Sequence, residues 1–285
     1  MGKVANKAIV EGAVIPDGFD FTVFGFYSTD SFATTPSQFE MYDVDCTKQG
    51  EYYKNASESY YWPWIGEVGF YAVSPASLAS TASWANGVVL ADYTVVGAED
   101  VDVMFAYNKG SNRATSLNMV FYHALSQVEV LVKTKQEYAN ATLAITGVTF
   151  KNIDVTANCS FKEDSPADTT ANPSVIWMQN TDHTASEVYK AVEQTVAYNG
   201  GVAQPYGTGI VVIPQTMGAT SVMSIDYTLT QNGDTVIGVA DVPITTNWDA
   251  RNKYVYTVIF ALDKIQFDPS ATGWVSVTTD AITLD

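Results

Sequence analysis

The sequence predicts an all-β fold. Three observations carry this reading: a composition rich in strand formers, apolar residues that alternate with period two, and turn-forming clusters between the alternating runs. The chain uses 17 Tyr and 13% aromatic residues, alongside many Val, Thr and Ile. β-Branched and aromatic side chains suit a pleated, half-buried surface. With 47% hydrophobic residues in 285, there is ample material for a packed core, which argues against a disordered chain.

Taken along the chain, amphipathic helical stretches are few. One helix is expected near Pro75–Trp84, where Ser74-Pro75 offers a start. Asn108-Lys109-Gly110 reads as a turn. Leu117, Met119, Phe121, His123 and Leu125 alternate, and the phase then shifts to Val128, Val130 and Val132. A one-residue shift of this kind predicts a bulge near Ser126–Gln127. The polar run Lys133, Thr134, Lys135, Gln136, Glu137 follows, and a new strand pattern starts at Ala141. A division near 137, into units 1–137 and 138–285, fits the usual domain size. Most of 162–173 is polar and reads as a surface loop, and Ser186–Gln194 as a short helix. Asn199-Gly200-Gly201 marks another turn. Asn232-Gly233-Asp234 separates Ser221–Thr230 from Thr235–Ile244, the pattern of a hairpin, with Met223, Ile225, Tyr227 and Leu229 facing the core. Tyr254, Tyr256, Val258 and Phe260 form a further alternating strand. Many strands and frequent turns indicate β-sandwich architecture. No short-period repeat indicates a solenoid or propeller.

Charge narrows the partners. The formal net charge is −17, from 31 acidic and 14 basic residues. Such a surface repels a phosphate backbone and anionic lipid headgroups, so neither nucleic acid nor a bare membrane surface is an expected partner. Arg113 and Arg251 are the two arginines, which leaves little for bidentate recognition of phosphate or carboxylate. Cys46 and Cys159 lie far apart and read as buried free thiols in preference to a disulfide. No run reaches the roughly 18–20 apolar residues of a membrane helix. No signal peptide with a charged start and an apolar run is present, and Met1-Gly2-Lys3 reads as a start placed just after a removed leader.

No residue set announces catalysis. His123, on the apolar face of a strand between Phe121 and Leu125, reads as a buried, hydrogen-bonded structural histidine, and His183 as a solvated loop residue. Two histidines and two cysteines, all distant, make a poor zinc set. Asp43-Val44-Asp45 and Glu99-Asp100-Val101-Asp102 offer oxygens but lack the spacing of an EF-hand, and read as solvated acidic turns. No spacing singles out a carboxylate pair for glycoside hydrolysis, and there is no Gly-x-Ser-x-Gly elbow, Walker loop or dinucleotide fingerprint. No catalytic, metal-binding or cofactor-binding residue is therefore assigned. The richest aromatic cluster runs from Tyr52 to Trp64. Packing is the favoured reading for it; the alternative is that Tyr60, Tyr61, Trp62 and Trp64 stack on sugar rings, since flat apolar rings suit aromatic faces.

Several segments in order carry a resemblance. These are Tyr61-Trp62-Pro63 with Val68-Gly69-Phe70-Tyr71-Ala72-Val73-Ser74-Pro75; Asp102-Val103-Met104-Phe105-Ala106; and Phe121-Tyr122-His123-Ala124-Leu125-Ser126-Gln127-Val128. Then come Ile213-Pro214-Gln215-Thr216; Trp248 with Tyr254-Val255-Tyr256; and Ile265-Gln266-Phe267-Asp268-Pro269 followed by Trp274. Together they resemble the fimbrillin family of Bacteroidetes, including the Mfa-like proteins, over roughly residues 60–285. The resemblance implies two transthyretin-like β-sandwich domains in tandem. It also implies export as a lipoprotein precursor, a lipid anchor on that precursor as the one membrane link, and display at the outer membrane surface as a pilus subunit. Partners would be other fimbrial subunits, with a host glycan or protein as a further candidate.

Assembly in that family is by strand exchange: a first strand is removed and a neighbour's C-terminal strand fills the groove. Here the displaceable strand falls within Lys3–Ile15, with Ala8, Val10 and Val14 as groove fillers. The donor strand falls on Trp274–Asp285, with Trp274, Val275, Val277, Ile282 and Leu284 as inserting residues. A donor strand supplies ladder hydrogen bonds and alternating side chains together. The alternative reading is a surface lipoprotein or tip adhesin that binds glycans or host proteins without donating its tail; a glycan-degrading enzyme on a β-sandwich ranks below both. Two departures stand out. No arginine precedes Arg113 as a maturation site, and Ala250-Arg251-Asn252 stands where the family pattern has a glycine.

Overall fold

The structure is a computed structural model that describes residues 15, 17–28, 39–57, 59–84, 87–95, 101–111, 116–162, 174–179, 188–190, 196–198, 200–261, 265–273 and 277–278. Its elements are almost all strands. The chain opens with β1 (Asp20–Ser28), β2 (Phe39–Gln49), β3 (Tyr52–Lys54) and β4 (Glu67–Ser74), then a 3₁₀ turn over Ala76–Thr81. Next come β5 (Ala82–Trp84), β6 (Val88–Thr94), β7 (Met104–Ser111), β8 (Val120–His123) and β9 (Ser126–Thr134). The middle holds β10 (Ala141–Lys151), β11 (Thr156–Lys162), β12 (Ser174–Gln179), β13 (Val188–Lys190), β14 (Val196–Tyr198), β15 (Gln204–Pro205) and β16 (Ile210–Val212). The last are β17 (Val222–Gln231), β18 (Asp234–Pro243), β19 (Asn252–Phe260), β20 (Ile265–Gly273) and β21 (Val277–Thr278). No α-helix occurs among the described residues.

Four sheets result. The largest has the order β21-β8-β7-β4-β1-β2-β3, and a four-stranded sheet the order β12-β11-β6-β5. A third runs β13-β10-β17-β18, with β14 also on β10. The fourth runs β15-β9-β19-β20, with β16 also on β9. Five of the pairings between described residues cross residue 137, among them β8 with β21 and β9 with β15 and β16. β6 lies antiparallel to β11, and β9 lies parallel to β19 from Gln127↔Lys253 to Thr134↔Phe260.

The seven-stranded sheet is apolar on both faces. Phe21, Val23, Val68, Phe70, Ala72, Met104 and Ala106 join one cluster with Met119 and Phe121. Phe24, Phe26, Tyr71, Val73 and Phe105 join a larger one that runs on through β9, β10, β17 and β19. A strand covered on both sides reads as a continuous apolar run, as Val68–Val73 does, instead of alternating. Along β1 the two clusters are served by Phe21 and Val23, then Phe24 and Phe26. The odd positions serve one cluster and the even positions the other, as plain strand alternation requires.

The hairpin expected around Asn232-Gly233-Asp234 is present. Gln231 pairs with Asp234, and Asn232 (φ 52°) and Gly233 (φ 95°) form a two-residue turn with both φ positive. Met223 and Ile225 are fully buried, and Tyr227 and Leu229 pack partly against the core.

Four local expectations need correction. Asn108-Lys109-Gly110 lies inside β7, paired to Phe70, Gly69 and Val68. Its glycine answers a distant demand, because a Cβ on Gly110 would sit 2.8 Å from the Trp62 ring. The helix expected near Pro75–Trp84 is a 3₁₀ turn that gives way to β5, because Ala82–Trp84 has β6 to pair with. Its first N–H, on Ala76, donates to the Asp20 carboxylate at 2.9 Å. Within Ser186–Gln194 the described residues Val188–Lys190 are a strand on β10, not a helix. The phase shift at Ser126 is no bulge: the chain leaves one sheet at His123 and enters another at Ser126. Residues 163–173 of the expected surface loop lie outside the described residues.

Candidate functional site: an apolar face of the seven-stranded sheet

The joints between the sheets position the site. In the His-Ala-Leu-Ser stretch every residue has a bonding task. His123 Nδ1 lies 2.9 Å from Asp102 Oδ2, with both side chains buried. The Ala124 N–H donates to the Val103 carbonyl at 2.7 Å, and the Ala124 carbonyl accepts from Trp177 Nε1 at 2.7 Å. The Leu125 carbonyl accepts from the Arg251 N–H at 3.0 Å. Ser126 Oγ donates to the Asp249 carbonyl at 2.8 Å. A chain passing between sheets leaves its backbone groups off any ladder, so these bonds satisfy what the ladders cannot.

Arg251 belongs to Ala250-Arg251-Asn252, the stretch where the resemblance expects a glycine. It holds a left-handed φ of 67°. Its guanidinium carbon lies 5.1 Å from the Phe105 ring centre and 4.8 Å from that of Tyr122. Trp248 Nε1 donates to Tyr256 Oη at 2.7 Å within the core. The Tyr256 phenol is pushed up to about 12, first by burial, with the Trp248 bond opposing. Gln215, of the Ile-Pro-Gln stretch, accepts from the Asp154 N–H at 2.8 Å and donates to the Asp154 carbonyl at 3.0 Å.

The site proper is the smaller apolar cluster on the seven-stranded sheet. Its centre is an aromatic group: Phe121 lies 5.1 Å from both Phe19 and Phe21, and Phe21 lies 5.5 Å from Tyr53. Edge-to-face and tilted contacts of this kind add to the burial term. Each large side chain here contributes about 1.5–3 kcal/mol when buried, so uncovering the face is unfavourable. Ile15, the last residue of the expected displaceable strand, packs against this cluster. The backbone of Val277 pairs with Phe121, and that of Thr278 with Val120. Ile15 thus packs on this cluster, and β21 pairs with the strand that carries Phe121. Ala8, Val10 and Val14 lie outside the described residues, as do Trp274, Val275, Ile282 and Leu284; for Val277 the backbone alone is described.

The aromatic segment beside it is split. Tyr60 and Trp62 pack against the same cluster, and Trp62 meets Phe70 edge-on at 5.8 Å. Tyr61 and Trp64 face solvent, at 76% and 89% exposure, next to the exposed Ile65.

Cys46 and Cys159 are buried free thiols in separate clusters. Burial, aided by Asp45, pushes the Cys46 thiol up to about 12, and burial raises that of Cys159 well above its ordinary value. Both are therefore poor nucleophiles. Burial raises the Asp45 carboxyl, with Asp43 and Asp20 adding to the effect. Asp102, expected in a solvated turn, is instead buried on His123. Among the described residues no group of three or more His, Cys, Asp or Glu is placed to hold a metal ion. His183, Glu99 and Asp100 lie outside the described residues. The Arg251 stack and the Gln215 clasp were not foreseen; the signals for them were the departure from glycine and the Ile-Pro-Gln stretch.

Solved structures share this fold at low identity. A fimbrial protein from Bacteroides vulgatus matches with a TM-score of 0.62 and 13% identity, over 90% of this chain and 93% of that one. A protein predicted to act in cell adhesion, from Bacteroides ovatus, matches with a TM-score of 0.57 and 15% identity, over 94% and 91%. Another so described, from Bacteroides uniformis, matches at 0.51 and 17%, over 90% and 91%. Among curated proteins none matches by sequence. Residues 10–274 match the family described as fimbrillin-like. With its motif residues serving as the joints of an all-β scaffold, the chain belongs to the fimbrillin-like family.

Proposed function

We propose that the chain is a structural subunit of bacterial surface fimbriae that polymerises by β-strand exchange and contributes to adhesion. Membership of the fimbrillin-like family supports the coarser part, a fimbrial, adhesion-related subunit at the cell surface that associates with other fimbrial subunits. The observations behind the finer part are the packing of Ile15 against that apolar cluster and the pairing of Val277–Thr278 with β8, whose Phe121 belongs to it. A first strand withdrawn from that face would leave apolar side chains and ladder groups in water, and an extended tail from a neighbour would cover both. In this reading Ala8, Val10 and Val14 leave the groove, and Trp274, Val275, Val277, Ile282 and Leu284 of the next subunit enter. The precursor carries a lipid anchor and the mature subunit stands at the outer membrane.

The test is direct. Protein trimmed within residues 3–15 should form polymers visible by electron microscopy, and deletion of 274–285 should stop them. Trimmed protein that stays monomeric would refute the reading.

One observation favours the second reading, an adhesin that does not donate its tail: Tyr61 and Trp64 present their rings to solvent. Glycan-induced NMR shifts at these two residues, in a chain that never polymerises, would select it.

A further inference from the structure

β18 forms one side of the sheet β13-β10-β17-β18, and among the described residues no strand lies on its outer side. The two-residue turn fixes which of its groups face outward. In such a hairpin the pair flanking the turn, Gln231 and Asp234, exchanges hydrogen bonds, and bonded pairs then alternate along the ladder. Thr235, Ile237, Val239 and Asp241 therefore turn N–H and C=O away from β17. The side chains along this edge are apolar and exposed: Val236 at 57%, Ile237 at 82% and Val239 at 61%.

Exposed edges are ordinarily blunted by charge, proline or brevity. β20, also an outer strand, carries Asp268-Pro269 in its middle. β3 and β5 have three residues each. β18 has ten residues, and from Thr235 to Ala240 it carries neither charge nor proline.

We propose that β18 docks a second copy of this chain, the two β18 strands pairing antiparallel about a two-fold axis so that one sheet runs through both molecules. The edge is self-complementary about such an axis, which is what favours this occupant. A chain of net charge −17 repels its own copies except where the contact is neutral, and Thr235–Ala240 is such a stretch. One register keeps acids apart: Ile237 opposite Val239 of the second copy, with Gly238 opposite its own counterpart. Asp241 then faces Thr235, and Lys151 Nζ lies 3.8 Å from the Asp241 carboxylate. The core face at the centre is filled by Tyr227, whose hydroxyl occupies the space beside Gly238 where a Cβ would stand. An edge contact alone is at the small end of specific interfaces, so the dimer is weak. The contact uses neither chain end and stands apart from the strand-exchange reading.

Sedimentation velocity on the intact chain, up to about 1 mM, tests it. The parent should show a concentration-dependent dimer, with slowed amide exchange at Ile237 and Val239. Ile237→Lys with Val239→Lys should abolish the dimer. Ile237→Thr with Val239→Thr, which keeps the branched shape, should weaken it several-fold. Deletion of 274–285 should leave it intact. A parent that stays monomeric throughout overturns the proposal. So does a dimer that survives the lysines, is lost with the tail, or protects other amides.

Discussion

Arg251 shows how a single side chain offsets backbone strain. A non-glycine residue at a φ of 67° costs about 1–3 kcal/mol. Each ring under the guanidinium returns about 0.5–2 kcal/mol, and two rings lie within 5.1 Å. The two effects are of similar size, so arginine can stand in for glycine only while it stacks. Arg251→Ala keeps the strain and loses the stack, and should lower stability by about 0.5–2 kcal/mol in urea unfolding. Arg251→Gly loses both and should lie nearer the parent. Equal stabilities for the two variants would show that the stack does nothing. The motif residues have a similar logic. His123, Gln215, Trp248 and Tyr256 are each buried with a polar partner, and removing one partner of such a pair costs about 1–3 kcal/mol.

Among the elements, what was legible in sequence and what was not divide by range. The β17–β18 hairpin was legible because its causes are local: alternation on each arm, and Asn232-Gly233 where two positive φ values are needed. Gly233→Val places a branched side chain at a φ of 95° and should cost about 1–3 kcal/mol in thermal or urea unfolding. Loss of less than half of that would mean the turn rebuilds itself. Gly110 carried the opposite lesson. It reads as part of a turn, yet it sits mid-strand because the Trp62 ring needs the space, a cause forty-eight residues away. The break after His123 looked like a bulge, since a change of sheet and a bulge produce the same one-step change of phase. The pairing of β21 with β8 has no local cause, because nothing within either segment names its partner.

At the scale of the whole molecule, strand pairing ties the two halves of the chain together. β9 sits between β15 and β19 in a sheet otherwise built after residue 200. If the chain divided near 137 into independent units, residues 138–285 would fold alone. The parallel ladder leads us to expect otherwise: that fragment lacks β9 and should give no cooperative melt by circular dichroism, whereas 126–285 should recover one. A sharp melt from 138–285 would show that β19 and β20 need no β9.

The parallel ladder also has a consequence in time. Gln127 waits for Lys253, and at about 5–20 residues per second of synthesis that wait is on the order of ten seconds. Until β15 and β16 are made, β9 is a water-averse segment with no ladder partner from its own sheet, and its other edge stays open until β19 follows. The late arrival of its mate keeps the polypeptide pliable until nearly all of it has been made, a state in which an unfolded chain is still easy to thread through a pore.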